Sequence, residues 1–345
     1  MKEKVLLGMS GGVDSSAAAI YLKEQGFEVG GATLILCGDD SGKNAEDAKN
    51  VCEKIGIEHF SFDLKNEFSH FVVDDFVRQY IEGKTPNPCI ECNKHIKFGK
   101  MIELALEKGY DKIATGHYAK IEKDSSGRFL LKKAKDEAKD QSYVLYNLTQ
   151  EQLSRLVLPL GEYTKSEIRQ KAEEAGFSNA NRPDSQDICF VPDGDYASFI
   201  EKRIGIKAET GDYVDINGNV LGQHKGVIRY TLGQRKGLGI ALGKPAFVID
   251  KNSQTNRVVL GDEEHLFKTK VEVKDVNFIP FDKLEGEMRV TAKLRYRHSA
   301  QQALIKPNGE QGVIIEFDEP QRAPSPGQAA VFYDGDIVVG GGIIV

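Results

Sequence analysis

A short glycine- and serine-rich loop near the N-terminus constrains the fold more than any other part of this chain. The loop, residues 10–15, reads Ser-Gly-Gly-Val-Asp-Ser; the apolar run Val5-Leu6-Leu7 precedes it, and a helical pattern over residues 17–22 follows. This order predicts a buried strand, a tight turn and a helix N-terminus. Glycines let a backbone turn sharply and approach a ligand, and the N-terminus of a helix favours an anion. We therefore expect an α/β domain with a phosphate-binding loop.

The motifs that the loop lacks limit which kind of phosphate-binding loop it can be. It has neither the Gly-Lys-Ser/Thr ending of the usual γ-phosphate loop nor the Gly-x-Gly-x-x-Gly of dinucleotide-binding domains. The string instead resembles the PP-loop of ATP pyrophosphatases, which hold the β,γ-diphosphate and cleave ATP to AMP and diphosphate. A plain glycine-rich turn capped by Ser10 or Asp14 is the alternative.

The rest of the N-terminal half alternates predicted strands with predicted helices. Strands are predicted over residues 27–36, 57–64 and 112–119, and helices over residues 43–55 and 68–81. Such alternation predicts a parallel sheet whose ligands gather at the carboxyl ends of the strands. Leu34 and the polar residues 39–42 then lie where a nucleotide base or ribose could bind, although an ordinary core position is the alternative for Leu34.

Composition and charge exclude few partners. The net charge of −6 over 345 residues neither requires nor forbids nucleic acid, because such binding follows local patches. The sequence has no apolar run long enough to span a membrane and no signal-peptide pattern at its start. We therefore expect a cytoplasmic protein of about two or three domains that binds no membrane.

Five cysteines, an odd number, favour free thiols, a metal site or catalysis over a disulfide scaffold. Cys37 and Cys52 stand in apolar contexts and are predicted core residues. Cys89 and Cys92 follow two prolines, before a helix predicted from near residue 93 to residue 108. A thiol near a helix N-terminus and several basic residues should be unusually acidic, so Cys92 is a candidate nucleophile. Cys189 follows a polar loop.

Two further features bear on function. Gly116 and His117 end a predicted strand at the ligand-binding edge of the sheet, where His117 is either a site residue or a structural histidine. From about residue 207 the chain changes to short alternating runs between glycine-rich turns, which predicts small β domains. Residues 217–248 contain no Asp or Glu but five basic residues, and the final segment carries basic residues around Tyr296, as on an RNA-binding face or a solvated barrel face.

Five motifs together resemble the bacterial tRNA-specific 2-thiouridylases. Besides the N-terminal loop they are Thr-Pro-Asn-Pro-Cys-Ile-Glu-Cys-Asn-Lys-His-Ile-Lys-Phe at residue 85, Ala-Thr-Gly-His-Tyr at 114, Lys-Asp-Gln-Ser-Tyr-Val-Leu at 139 and Ser-Gln-Asp-Ile-Cys-Phe at 185. The resemblance is colinear over nearly the whole chain. It implies an N-terminal PP-loop ATP-pyrophosphatase domain (1–203), related to the adenine nucleotide alpha-hydrolases, a small central domain (204–266) and a C-terminal β-barrel (267–345).

The resemblance also implies an activity and its residues. Members replace the C2 oxygen of the wobble uridine with sulfur in tRNAs for Lys, Glu and Gln, using ATP with Mg²⁺ and a sulfur donor protein. The implied contacts are ATP at Gly8, Met9, Ser10, Gly11, Gly12, Val13, Asp14, Ser15, Leu34 and Gly116; the target base at Asn87, Pro88 and Cys89; and tRNA at His117, Lys139, Asp140, Gln141, Arg295, Tyr296 and Gln328.

Two routes for the sulfur remain open. By resemblance, Cys189 carries a persulfide and Cys92 acts as the nucleophile, with a Cys92–Cys189 disulfide as one way to release the sulfur. This chain departs from many members in having Cys89 where they have Asp. Cys89, Cys92 and Cys189 could therefore hold a 4Fe–4S cluster with one open iron. A zinc site that uses His95 is a third alternative.

Two other functions compete with thiolation. A different adenylating PP-loop enzyme, such as an amidotransferase or synthetase, would need neither the three cysteines nor the basic β segments. An RNA-binding module with an inactive loop would not need the intact loop residues Ser10, Asp14 and Ser15.

Overall fold

A parallel sheet forms the centre of the N-terminal domain. The computed structural model describes residues 2–38, 41–177 and 188–345, with the backbone but not the side chains of residues 41–43. Strands β1 to β7 are Lys4–Gly8, Glu28–Ile35, His59–Asp63, Lys112–Ala114, Lys120–Lys123, Phe129–Lys132 and Leu156–Val157. Five of them pair in the order β3-β2-β1-β4-β7, all parallel. The predicted parallel sheet is confirmed.

Helices cover this sheet and carry the loops at its edge. Helices α1 to α9 are Val13–Glu24, Ser41–Ile55, Lys65–Phe68, Asp74–Ile81, Pro88–Glu91, Met101–Glu107, Gln150–Ser154, Lys165–Glu174 and Tyr196–Ile204. Wider π-helical turns, Ser69–Val73 and Cys92–Lys100, join α3 to α4 and α5 to α6, so two long helical segments result. In α1 the small side chains of residues 17–19 are fully buried, which lets the helix lie close to the sheet.

The central domain is a small sheet of four strands. Strands β8 to β11 are Gly211–Val214, Val220–His224, Phe247–Asn252 and Arg257–Gly261, in the order β10-β11-β8-β9. Its core includes the fully buried ring of Tyr213, whose hydroxyl donates to the Leu238 carbonyl oxygen at 2.6 Å. Of the short alternating runs that predicted β structure in this part of the chain, residues 227–230 instead form a 3₁₀ turn over Val227–Arg229.

The C-terminal domain is a closed antiparallel barrel. Strands β12 to β17 are Phe267–Phe278, Met288–Lys293, Gln301–Pro307, Val313–Arg322, Ala329–Asp334 and Ile337–Ile344. They pair in the order β12-β15-β14-β13-β16-β17, and the pairing of β12 with β17 closes the ring. Closure leaves no free sheet edge among these strands. The predicted barrel is confirmed.

The barrel is joined to the N-terminal domain through the β5–β6 hairpin, which lies far from it in sequence. β6 pairs with β17, placing Lys132 opposite Ile337. Tyr143, fully buried, donates from its hydroxyl to the Ala329 carbonyl oxygen at 2.8 Å. One apolar core therefore runs from the parallel sheet into the barrel, and this fixes barrel residues relative to the N-terminal loops.

Two predicted element boundaries need correction. The helix predicted from near residue 93 begins at Pro88, because Asn87 caps it and proline at the first helical position loses no hydrogen bond. The strand predicted over residues 112–119 ends at Ala114, since the backbone then turns past the N-terminal loop. Among the described residues, no helix is both long enough and apolar enough to cross a membrane.

Candidate active site

The glycine- and serine-rich loop connects β1 to the N-terminus of α1, as predicted. The Ser10 backbone N–H donates to Ser15 Oγ at 3.2 Å, and Ser15 Oγ donates to the Gly12 carbonyl oxygen at 3.1 Å. Gly11 has φ +71°, and a Cβ at that position would lie 3.0 Å from the Asn44 carbonyl oxygen. No side chain caps α1 within the described residues. The arrangement provides hydroxyl and N–H donors for an anion.

A buried lysine holds the carboxylate of this loop. Lys165 Nζ donates to both carboxylate oxygens of Asp14 at 2.8 Å, and the Tyr118 hydroxyl donates to Asp14 Oδ1 at 2.7 Å. The Lys165 side chain is only 9% exposed. Sequence reasoning missed Lys165, whose only local signal is the capping box of Thr164 and Glu167 that begins α8.

Gly116, which lies two residues after the end of strand β4, packs directly against the loop. A Cβ on Gly116 would lie 3.2 Å from both the Asp14 Cβ and the Ser15 backbone nitrogen. The next residue, His117, is buried: its Nδ1 shares a 2.8 Å hydrogen bond with the Thr115 hydroxyl, and its ring centroid lies 5.6 Å from that of Phe98. Burial holds the pKa of His117 well below its usual value. The segment thus links the loop to the cysteine-bearing helix.

The predicted adenine contact lies on the neighbouring strand. Leu34 is half-buried near the carboxyl end of β2 and packs against two apolar clusters. Beside it, the Thr33 hydroxyl donates to the Met9 carbonyl oxygen at 3.0 Å, which ties β2 to the loop. Asp39 and Asp40 lie outside the described residues, so their predicted place near the nucleotide stays a prediction.

Two cysteines lie on the helical segment that begins at Pro88. The Cys89 backbone N–H donates to Asn87 Oδ1 at 3.1 Å, so the predicted base-contacting Asn87 also caps the helix. Cys89 is exposed and Cys92 is buried. Burial raises the pKa of Cys92 to about 12, although Lys97 opposes the shift. The predicted acidic thiol at Cys92 is therefore wrong for this conformation, because desolvation outweighs the basic neighbours.

Cys37, predicted as a core residue, instead lies beside Cys189. It is half-buried two residues beyond the end of β2, and its Sγ lies 3.9 Å from the Cys189 carbonyl oxygen. A hydrogen bond from the Cys189 thiol lowers the pKa of Cys37 and raises that of Cys189. Cys52 is fully buried, with its pKa raised by desolvation, so that core prediction is confirmed.

The thiols do not form a metal-binding set in this arrangement. Cys89, Cys92 and Cys189 are near enough to interact electrostatically. In the part of the chain that the structure describes, however, no three or more Cys, His, Asp or Glu side chains converge on a point that could hold a metal ion. His95 lies 3.3 Å from the Glu91 carboxylate and stacks on Phe71. The predicted 4Fe–4S and zinc sites therefore stay predictions.

Two residues of the N-terminal domain that are predicted to contact tRNA, Asp140 and Gln141, accept hydrogen bonds from within the protein. The buried Asp140 carboxylate accepts from the Ala134 N–H at 3.0 Å and the Ser142 hydroxyl at 2.7 Å. Gln141 Oε1 accepts from the Tyr118 N–H at 2.9 Å. Lys139 is half-buried. These contacts are structural, and the predicted tRNA contacts remain predictions.

The barrel residues that are predicted to contact tRNA lie near the helical segment that carries Cys89 and Cys92. Gln328 Nε2 donates to the Thr85 carbonyl oxygen at 2.6 Å, just before the cysteine-bearing helix. Tyr296 is 38% exposed and lies near enough to Cys89 for the two groups to interact electrostatically. Arg295 donates to the Ser325 hydroxyl at 2.8 Å. The barrel therefore contributes to the surroundings of Cys89.

The chain matches three family models in succession. Residues 3–193 match the tRNA methyl transferase HUP domain, residues 197–262 the tRNA methyl transferase PRC-barrel domain, and residues 268–344 the aminomethyltransferase beta-barrel domain. The tRNA-specific 2-thiouridylase MnmA of Clostridioides difficile (strain 630) is 54% identical over 100% of this chain and 98% of its own length. The corresponding proteins of Clostridium botulinum (strain Loch Maree / Type A3) and Clostridium beijerinckii (strain ATCC 51743 / NCIMB 8052) are 50% and 49% identical, each over 100% of this chain and 99% of its own length.

The chain belongs to the tRNA-specific 2-thiouridylase family. The family resemblance and the three-part fold predicted from the sequence are thereby confirmed. The domain boundaries after residues 203 and 266 stay predictions, as do the individual site residues.

In this 2-thiouridylase, the basic patch of the central domain is smaller than the sequence of residues 217–248 predicts, because acidic residues pair with part of it. Arg229 pairs with Glu201 at 2.6 Å, and Lys244 pairs with Asp262 at 2.8 Å. Arg235 and Lys236 are exposed. The acidic partners lie outside residues 217–248, so the sequence of that stretch alone could not show them.

Proposed function

We propose that this chain replaces the C2 oxygen of the wobble uridine in tRNAs for Lys, Glu and Gln with sulfur, and that it cleaves ATP to AMP and diphosphate in doing so. Membership of the 2-thiouridylase family supports thiolation of tRNA uridine. The observation that carries the ATP-dependent part is the contact of Gly116 with Asp14 and Ser15. It supports this part because the glycine- and serine-rich loop lies beside the segment that packs on the cysteine-bearing helix.

ATP would be needed because the C2 carbonyl of uridine is a poor electrophile. Transfer of AMP to the C2 oxygen makes that oxygen part of a good leaving group, and diphosphate departs. Ser10, Ser15 and the N-terminus of α1 would hold the phosphates. Mg²⁺ would enter bound to ATP phosphate oxygens. Asp14, whose carboxylate Lys165 neutralises, would position the loop.

Cys189 would receive the sulfur. It is exposed, so a persulfide-bearing donor protein can reach it, and it lies near Cys92. The donor would pass a sulfane sulfur to the Cys189 thiol and leave as a thiol. The terminal sulfur of the Cys189 persulfide would then replace the adenylated oxygen at C2, and AMP would leave. A second cysteine thiol would attack the Cys189 sulfur and break its bond to the transferred sulfur, so that the other products are 2-thiouridine in the tRNA and a disulfide.

The tRNA would lie across the barrel and the cysteine region. Tyr296 and Gln328 come from the barrel yet lie near Cys89 and Thr85, so an anticodon arm on the barrel would meet the thiols. Exposed Arg235 and Lys236 would contact the phosphate backbone. Because tRNA is the proposed substrate, we also propose a cytoplasmic location.

A reconstituted reaction tests this function. Purified protein, ATP, Mg²⁺, sulfide and an unmodified tRNA transcript should give AMP and a nucleoside whose mass corresponds to replacement of oxygen by sulfur. A transcript with cytidine at the wobble position is the matched control and should not be thiolated. Equal thiolation of both transcripts would refute the base assignment. Formation of AMP with an amide product and no thionucleoside would instead indicate an adenylating synthetase.

A further inference from the structure

Both polar groups of the Thr85 backbone bond to the barrel. The Thr85 N–H donates to the Pro326 carbonyl oxygen at 2.8 Å, and the Thr85 carbonyl oxygen accepts from Gln328 Nε2 at 2.6 Å. Gln328 lies 243 positions further along the chain. The Thr85 hydroxyl is buried and has no hydrogen-bond partner among the described residues. The position of Thr85 therefore depends on two bonds to a turn of another domain.

A short, stiff connection joins Thr85 to the cysteine-bearing helix, which begins at Pro88. The two residues between them are Pro86 and Asn87. Each proline fixes its own φ and also restricts the residue before it. The Asn87 side chain accepts from the Cys89 N–H at 3.1 Å and so caps the helix. A displacement of Thr85 would therefore be passed on to the N-terminus of the helix, because the connection has little freedom to absorb it.

The barrel turn that holds Thr85 has an unfavourable backbone conformation. Ala323 has φ +51°, in the left-handed region that disfavours a residue with a Cβ. Its carbonyl oxygen accepts from Arg295 Nη2 at 3.0 Å and from the Ser325 hydroxyl at 3.1 Å. At Gly327, with φ +88°, a Cβ would lie 3.0 Å from the Thr85 backbone nitrogen. The turn is thus fixed by its own hydrogen bonds and lies very close to Thr85.

We propose that Gln328 is a positioning residue for sulfur transfer, which acts through the Thr85 carbonyl oxygen to hold the N-terminus of the cysteine-bearing helix. This inference rests on the proposed function. The bond between Gln328 and Thr85 forms within the protein itself, so this role is separate from the tRNA contact that the family resemblance predicts for Gln328. Without the bond, the helix N-terminus moves, and the adenylated base and the sulfur meet in the correct geometry less often.

Hydrogen exchange on the full-length protein, without tRNA, isolates the positioning role. In residues 85–88 only Thr85 and Asn87 have a backbone N–H, because the other two residues are prolines. Gln328→Met keeps a side chain of similar size but cannot donate to Thr85. Loss of one hydrogen bond lowers protection by about tenfold, so we expect the Thr85 amide to exchange about tenfold faster in this variant. A role limited to contact with tRNA would not change this rate.

Two controls accompany the exchange measurement. Gln321→Met is the matched variant, because Gln321 Nε2 donates to the Glu319 carbonyl oxygen on the same barrel, and it should leave exchange at Thr85 unchanged. Unchanged exchange of the barrel strands in Gln328→Met verifies that the variant is folded.

Kinetics tests whether the held helix matters for the reaction. With ATP, Mg²⁺, sulfide and a saturating tRNA transcript, we expect Gln328→Met to form 2-thiouridine about tenfold more slowly, in proportion to the lost protection. The KM for ATP should stay the same, because the glycine- and serine-rich loop is not part of this contact. Gln328→Lys, whose amine can donate to the Thr85 carbonyl oxygen, should recover part of the rate. Gln321→Met should have the wild-type rate.

Two kinds of result would overturn the inference in distinguishable ways. Unchanged exchange at Thr85 in Gln328→Met, or weaker tRNA binding with an undiminished rate at saturating tRNA, would refute the positioning role and leave the proposed function intact. A wild-type protein that makes no thionucleoside with ATP and sulfide would refute the proposed function and, with it, a role of Gln328 in sulfur transfer.

Discussion

Lys165 Nζ donates to both carboxylate oxygens of Asp14 at 2.8 Å, and this pair joins helix α8 to the glycine- and serine-rich loop. The residues are separated by 151 positions in the chain. A loop carboxylate close to ATP phosphates would repel them, and Lys165 neutralises it. The mostly buried lysine therefore stabilises the domain and also neutralises a negative charge in the candidate site.

Replacing Lys165 with Met should reduce both stability and ATP cleavage. Removing one partner of a largely buried pair costs about 3–5 kcal/mol, and partial exposure of Asp14 reduces this to about 2 kcal/mol. Urea denaturation would measure the free energy of unfolding, and AMP formation the activity. Lys171→Met is the matched control on the same helix, because the exposed Lys171–Glu24 pair should contribute less than about 1 kcal/mol. Equal losses in both variants would contradict the role of Lys165.

Adding a methyl group at Gly116 should impair the loop more than the fold. The new Cβ would lie 3.2 Å from both the Asp14 Cβ and the Ser15 backbone nitrogen, so the loop must shift by a few tenths of an ångström. We expect a raised KM for ATP in Gly116→Ala, measured by AMP release. Gly286→Ala is the control, since its Cβ would meet nothing within 4 Å. An unchanged KM for ATP in Gly116→Ala would show that ATP binding does not depend on this contact.

The cysteines should differ in their rates of alkylation. Burial raises the pKa of Cys92 to about 12, so at neutral pH, far below that value, its thiol stays protonated and unreactive. The pKa of Cys37 is lowered, so its thiolate fraction is larger and persists to lower pH. Brief treatment of the native protein with iodoacetamide, followed by peptide mass spectrometry, should find Cys37 modified before Cys92 and Cys52. Faster labelling of Cys92 would show that it is exposed in solution.

Exposed basic residues of the central domain should contribute to tRNA binding. The double variant Arg235→Ala, Lys236→Ala should bind tRNA more weakly, and the slope of log K against log salt should be about two units less steep. Lys244→Ala is the matched control, because Asp262 already neutralises Lys244. Filter binding at several salt concentrations measures both. A larger loss of affinity in Lys244→Ala than in the double variant would indicate that tRNA binds another face of the protein.

Much of the fold was predictable because local patterns determine it. The strand, loop and helix around Ser10 depend on neighbouring residues and were confirmed. The pairing of β6 with β17 was not predictable, since the strands are about two hundred residues apart and nothing in either pattern specifies its partner.

The site was predictable in its components but not in its contacts. The loop and the three site cysteines were visible as motifs, whereas Lys165 and Cys37 contact residues distant in sequence. The acidity expected of Cys92 failed for a related reason: sequence shows the neighbouring lysines, but only the fold shows that the thiol is desolvated.

One measurement tests the central claim most directly: simultaneous quantification of AMP and 2-thiouridine from a tRNA transcript with a wobble uridine. The account predicts that both appear in equal amounts with ATP and sulfide, and that both are lost in Asp14→Asn, in which the Lys165 contact is weakened. It also predicts neither product from the wobble-cytidine transcript. Thiouridine formed without AMP, or a methylated nucleoside that contains no sulfur, would contradict it.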